Sequence, residues 1–133
     1  MTLVVLVIDN LNQTKTFNKQ LKLNFFSEYT KRYQDIALNL PENINDDDFS
    51  YKNMLDEERS HVLRYMRVYF DLCSEEFYLY SNNCLDENVW ENWEEGISCT
   101  MNKKAYKEAW KIINASHFYN GDFEKWVESK MHL

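Results

Sequence analysis

The sequence predicts an all-α domain, and three observations carry that prediction. Only two glycines and one proline occur in 133 residues, whereas hairpins and sandwiches need frequent turn residues with positive φ. Apolar residues recur at spacings of three and four over long stretches, the period of a single helix face. Hydrophobic residues make up 44% and aromatics 16% of the chain, enough to fill one core rather than leave the chain disordered. The expected architecture is two long antiparallel helices, about 3–40 and 57–80, with three short helices packed on one side, in a single domain spanning 1–133.

The first helix is read from Phe17, Leu21, Phe25, Tyr29, Tyr33, Ile36 and Leu40, spaced three or four apart. Val4, Val7, Leu11 and Thr14 continue the stripe backwards, so one helix is expected to start near Leu3. Pro41 stops it, because proline drives the residue before it out of helix. The opening run Leu3-Val4-Val5-Leu6-Val7-Ile8 is wholly apolar but far shorter than the roughly 20 residues of a spanning helix. It reads either as a buried first turn or as the stub of a membrane segment in residues 1–10.

Residues 41–54 are polar, carry Asp46-Asp47-Asp48, and are expected to form the main loop, pinned by Phe49 and Tyr51. Asp56 is the expected N-cap of the second helix, with Glu57 and Glu58 in its first turn, where the helix dipole favours negative charge. That helix carries Val62, Met66, Tyr69, Cys73, Phe77 and Tyr80 on one face. Asp86 is expected to cap a third helix over 87–99, and Asn102 a fourth over 103–115. A turn over 116–121 then leads to a last helix of about 122–131.

The net charge of −7 disfavours direct nucleic-acid binding, which needs cations on the phosphates. A local basic cluster near the start, Lys15, Lys19, Lys22, Lys31 and Arg32, suits a solvated helix face, an anionic membrane surface or an acidic partner. Three cysteines, with no CxxC and no secretory signal, read as free thiols in a reducing compartment.

No catalytic signature stands out. There is no GxSxG elbow and no glycine-rich phosphate loop. Glu58 and His61 have the ExxH spacing of di-iron bundles, but those need a second such pair, and His117 has Asn114 three residues before it. No arginine stands four to six residues before either histidine, as helical ribonucleases of the higher-eukaryote and prokaryote nucleotide-binding type require. No catalytic residue, metal site or cofactor is therefore expected.

Two sets of residues remain as binding candidates. Arg64, Arg67 and Glu75 lie on the second helix and suit either an ion-pair network or a pocket for a small anion such as a nucleotide. Arg67 and Asp71 are spaced to pair. Phe17 and Leu21 on the first helix, with Trp90 and Trp93 on the third, are candidate partner anchors if they are exposed.

Four stretches taken together carry a resemblance: FFSEYTKRYQDIALNLP (25–41), LRYMRVYFDLCSEEFYL (63–79), VWENWEEGI (89–97) and AYKEAWKI (105–112). They resemble a group of small uncharacterised bacterial all-helical proteins, which often begin with one membrane-spanning helix followed by a cytosolic helical domain. The resemblance covers about residues 11–127 and implies a fold, with no functional residues to carry over. It implies a cytoplasmic domain at the inner face of the membrane, as part of a membrane-associated protein; a place in defence or stress response is an expectation added to the resemblance.

The functional expectation is a non-enzymatic interaction or assembly domain that forms a homo-oligomer through its N-terminal helix, with the membrane surface as a further contact. One alternative is a sensor or effector that binds a small anion. A second is an acidic inhibitor that mimics nucleic acid, using Asp46 to Asp48 and the paired glutamates.

Overall fold

A computed structural model describes residues 2–133 of the chain, and every regular element in it is helical. The order is α1 (Leu3–Leu38), α2 (Asp56–Ser81), α3 (Glu87–Met101), α4 (Lys104–Ile113) and α5 (Gly121–Met131). Pairings between α1 and α2 run in opposite sequence order. Asn39 meets His61, Tyr33 meets Tyr69, and Arg32 meets Glu75. The two long helices are therefore antiparallel. α4 packs on α2, and α3 touches both α4 and α5.

α1 opens on Thr2, whose hydroxyl accepts from the Val5 N–H at 3.4 Å. It ends at Leu38, with the Asn39 N–H bonded back to Ile36 and Ala37 carbonyls before Pro41. Its 36 residues span about 54 Å at about 1.5 Å each. Only Tyr29 and Ile36 of this helix are buried.

α2 supplies the centre of the core with Val62, Met66, Tyr69, Phe70, Leu72 and Cys73. The expected Asp56 cap is corrected: Leu55 holds the extended cap position, which places Asp56, Glu57 and Glu58 together in the first turn. α2 stops in a Schellman turn. Asn83 takes φ 58°, its N–H bonds the Tyr80 carbonyl, and the Cys84 N–H reaches the Leu79 carbonyl at 2.8 Å.

Two further caps differ from expectation. Asp86 does hold the N-cap position of α3, but its carboxylate lies 2.6 Å from Lys22 Nζ and makes no cap bond. Asn102 closes α3 instead of opening α4; its amide donates to the Ser98 carbonyl. The helix continues through Gly96 to Met101, past the expected end at 99.

The loop over 41–54 is anchored by three buried side chains, Ile44, Phe49 and Tyr51. The Tyr51 hydroxyl donates to the Ala105 carbonyl at 2.8 Å, tying the loop to the first turn of α4. At the other end, Asn114 and Glu124 order the turn before α5. The Asn114 amide donates to Glu124 at 2.8 Å, and its carbonyl oxygen accepts from the Tyr119 N–H. Tyr119 then donates its hydroxyl to Asp71 at 2.5 Å. Among the described residues no helix is long and apolar enough to cross a membrane.

Candidate functional site

Two places stand apart from a packed core: a cleft between α1, α2 and α3, and the first half of α1.

The cleft follows from how three helices meet. Tyr29 and Tyr33 come from α1, Tyr69 and Glu76 from α2, and Trp93, Ile97 and Thr100 from α3. The space they enclose is about 450 Å³. Trp93 ties the walls together: its ring stacks on Phe26 at 6.1 Å between centroids and tilts against Tyr29 at 5.7 Å. Tyr33 and Tyr69 meet across the α1–α2 contact at 6.4 Å.

Glu76 is the unusual member. Its side chain is only 7% exposed, and it follows Tyr69 and Cys73 on the buried face of α2 at helical spacing. No protein group hydrogen-bonds to it, and no fully buried side-chain nitrogen or oxygen among the described residues lacks a partner. Its carboxyl oxygens therefore keep some contact with solvent, and Glu76 is part of the cleft lining. Burial pushes this carboxyl up to about 8, with Arg32 pulling it down and Glu75 pushing it further up. Its neighbours Tyr69 and Cys73 are also held in their protonated forms by burial. The Arg32 guanidinium is committed elsewhere: it pairs with Glu75 and lies 5.0 Å from the centre of the Tyr29 ring.

The second place is Leu3 to Leu21, where every side chain is exposed. Body contacts of α1 begin at Lys22, with its ion pair to Asp86. The stripe of Val4, Val7, Leu11, Phe17 and Leu21 therefore has no partner within the chain. The opening run Leu3–Ile8 is not a buried first turn; it forms the tip of this arm.

The residues singled out in the sequence divide between these places and elsewhere. Arg64, Arg67 and Glu75 do not form one pocket. Arg64 is exposed beside Asp56, Glu57, Ser60 and His61. Glu75 lies about 16 Å further along α2 by the helical rise, and it pairs with Arg32. Arg67 is exposed and forms no ion pair with Asp71, whose carboxylate accepts from Tyr119 instead. Phe17 is 67% exposed and Leu21 is also exposed, both on the arm. Trp90 is 3% exposed and is no surface anchor. It stacks on Tyr80 at 4.5 Å and packs against Phe77 and Trp126. Trp93 is half-buried in the cleft wall.

Of the ExxH pair, His61 turns its Nε2 to the Asn39 carbonyl at 3.1 Å, where only the N–H tautomer can donate. That bond ties the start of α2 to the end of α1. Sequence reasoning places Glu76 among the polar residues of the second helix but takes its neighbour Glu75 as the candidate ligand, and it reads the cleft tyrosines as core positions. The signal was present: an acid at a core register position of an otherwise apolar helix face.

Compared with protein-family models, curated proteins and solved structures, the chain matches none of them.

Proposed function

We propose that the chain works as an interaction and assembly domain rather than as an enzyme, and that its partner is a second copy of itself engaged through Leu3–Leu21. The observation that carries this reading is the continuity of one apolar stripe along α1. From Phe25 onward the stripe packs against the body; from Val4 to Leu21 the same stripe is bare. Exposed apolar surface of this length mostly marks an interaction site. Most helical stability in proteins comes from packing an apolar face, so burying this stripe would add to the stability of the arm.

A second copy suits the arm because like arms meet with little repulsion. Asp9, Lys15 and Lys19 are its only charged side chains, whereas the chain as a whole carries −7. Two arms side by side would bury the Val4, Val7, Leu11, Phe17 and Leu21 stripes against each other at coiled-coil spacing.

The test is sedimentation velocity on the native chain and on a Val7→Asp/Leu11→Asp variant. Both positions lie outside the body, so the variant keeps its fold by circular dichroism. A concentration-dependent oligomer that becomes a monomer in the variant supports the reading. A native chain that stays monomeric at its solubility limit overturns it. If that monomer also floats with anionic vesicles, the arm is a membrane-surface helix instead.

A further inference from the structure

We propose that the cleft between α1, α2 and α3 binds an organic cation of the methylated ammonium class, with Tyr29, Tyr33, Tyr69 and Trp93 around the methyl groups and the Glu76 carboxylate against the charge. This proposal is independent of self-association, since none of these residues lies on the arm.

The cleft has the size of a small-molecule site: its volume of about 450 Å³ falls in the usual range of roughly 300 to 1,000 Å³. Its walls are aromatic, and the negative face of such rings attracts a cation brought within about 6 Å of the ring centre. The fold already uses one wall ring in this way, with Arg32 over Tyr29 at 5.0 Å. The floor is a carboxyl more than nine-tenths buried, part of the cleft lining and bonded to nothing. A buried carboxylate without a partner is costly, and a bound cation is what offsets that cost.

Other ligand classes fit worse. An anion would face Glu76 with Glu75 nearby in a chain of net charge −7. A neutral apolar ligand would seal the carboxyl away from water and leave it unpaired. A divalent metal needs several hard ligands, and no cluster of three acidic, histidine or cysteine side chains exists among the described residues. A primary ammonium would need its three N–H donors met by Glu76 and by the hydroxyls of Thr30, Thr100 and the tyrosines, whereas the lining is mostly apolar. A methylated ammonium asks only for ring faces and one negative charge.

The proton balance gives the site a signature. Without ligand, Glu76 holds its proton up to about pH 8. Burial raises this value, Arg32 on α1 lowers it and Glu75 on α2 raises it further. The other titratable groups around Glu76 are Tyr29 and Tyr33 on α1, Tyr69 and Cys73 on α2, and Cys99 at the rim on α3. A quaternary ammonium carries no titrating proton, so its binding must expel the one on Glu76. Affinity therefore rises by up to about tenfold per pH unit below the Glu76 value and levels off above it.

Isothermal titration calorimetry of the full chain tests this with tetramethylammonium, choline and benzyltrimethylammonium. The control is the neutral analogue of choline in which carbon replaces the quaternary nitrogen. We expect the cations to bind, the neutral analogue to bind at least about tenfold more weakly, and affinity to rise with pH as above. In Glu76→Gln the cation affinity should fall by about tenfold to a hundredfold and lose its pH dependence, with the far-ultraviolet spectrum unchanged. No binding by any of the three cations overturns the proposal. So does equal binding of the neutral analogue, or full affinity retained in Glu76→Gln.

Discussion

From Phe25 to Ile36 the stripe of α1 is pressed against α2 and α3; from Val4 to Leu21 the same stripe, at the same spacing, meets nothing. The difference lies in the neighbours and not in the helix. α2 is ten residues shorter than α1, meets Asn39 at His61 in its second turn and stops at a Schellman turn after Ser81. The chain then folds back into α3, whose cap residue Asp86 meets Lys22. Past that ion pair no part of the body is left to cover α1. Periodicity thus specifies that a face exists, while the length of the opposing element decides whether the face is filled.

The largest effect that sharpens this contrast is on stability. Ile36→Ala should cost about 2 to 4 kcal/mol, as expected for truncation of a buried isoleucine. Leu11→Ala on the arm should change the stability of the monomer by less than about 0.5 kcal/mol. Urea denaturation of both variants, below the concentration of any self-association, reads the difference. A loss at Leu11 as large as that at Ile36 would mean the arm is packed after all.

A second effect has the opposite sign. The folded value of Glu76, about 8, lies above the ordinary carboxylate value. Between those two values the unfolded chain has lost the proton that the folded chain keeps, so this group makes stability fall as pH rises through that window. Glu76→Gln should therefore stabilise the protein at neutral pH, on the order of 2 kcal/mol. The gain should vanish in acid below the ordinary carboxylate range, which thermal melts across pH would show. A carboxyl that costs stability in place is the kind of residue expected where binding matters more than stability.

Tyr119→Phe should cost about 1 kcal/mol in the same urea assay, by removing the hydrogen bond to the partly exposed Asp71. The smallest effect belongs to His117, whose ring Nδ1 lies 2.7 Å from Glu124 on the surface. That hydrogen bond raises the histidine and lowers the glutamate. Its contribution is complete below the ordinary histidine value and is lost as pH rises through the folded one. His117→Ala should accordingly be slightly less stable than the native chain only on the acidic side, a difference that thermal melts across pH would show.

The helices were legible because their signals are local. Pro41 and the polar run after it ended α1, and the stripe from Val62 to Tyr80 marked the core face of α2. Caps were less legible, since Asn102 serves equally well as the end of one helix or the start of the next, and only the chain direction decides. The cleft was not legible as a site. Tyr29, Tyr33 and Tyr69 read as ordinary core aromatics and Trp93 as a surface anchor, and only three-dimensional packing shows that the space between them is left unfilled. Arg64, Arg67 and Glu75 drew attention by charge, yet helical rise and rotation spread them along α2. Glu76, one residue from Glu75, differs from it only in the face it takes.

The hydrogen bond from Tyr51 to the Ala105 carbonyl joins residues 54 positions apart, and this bears on the order of folding. The loop over 41–54 gains its anchor only once α2, α3 and α4 are in place, so the closure entropy of that long span is met late. Tyr51→Phe should leave the refolding rate nearly unchanged and speed unfolding, the kinetic behaviour of a contact made after the rate-limiting step.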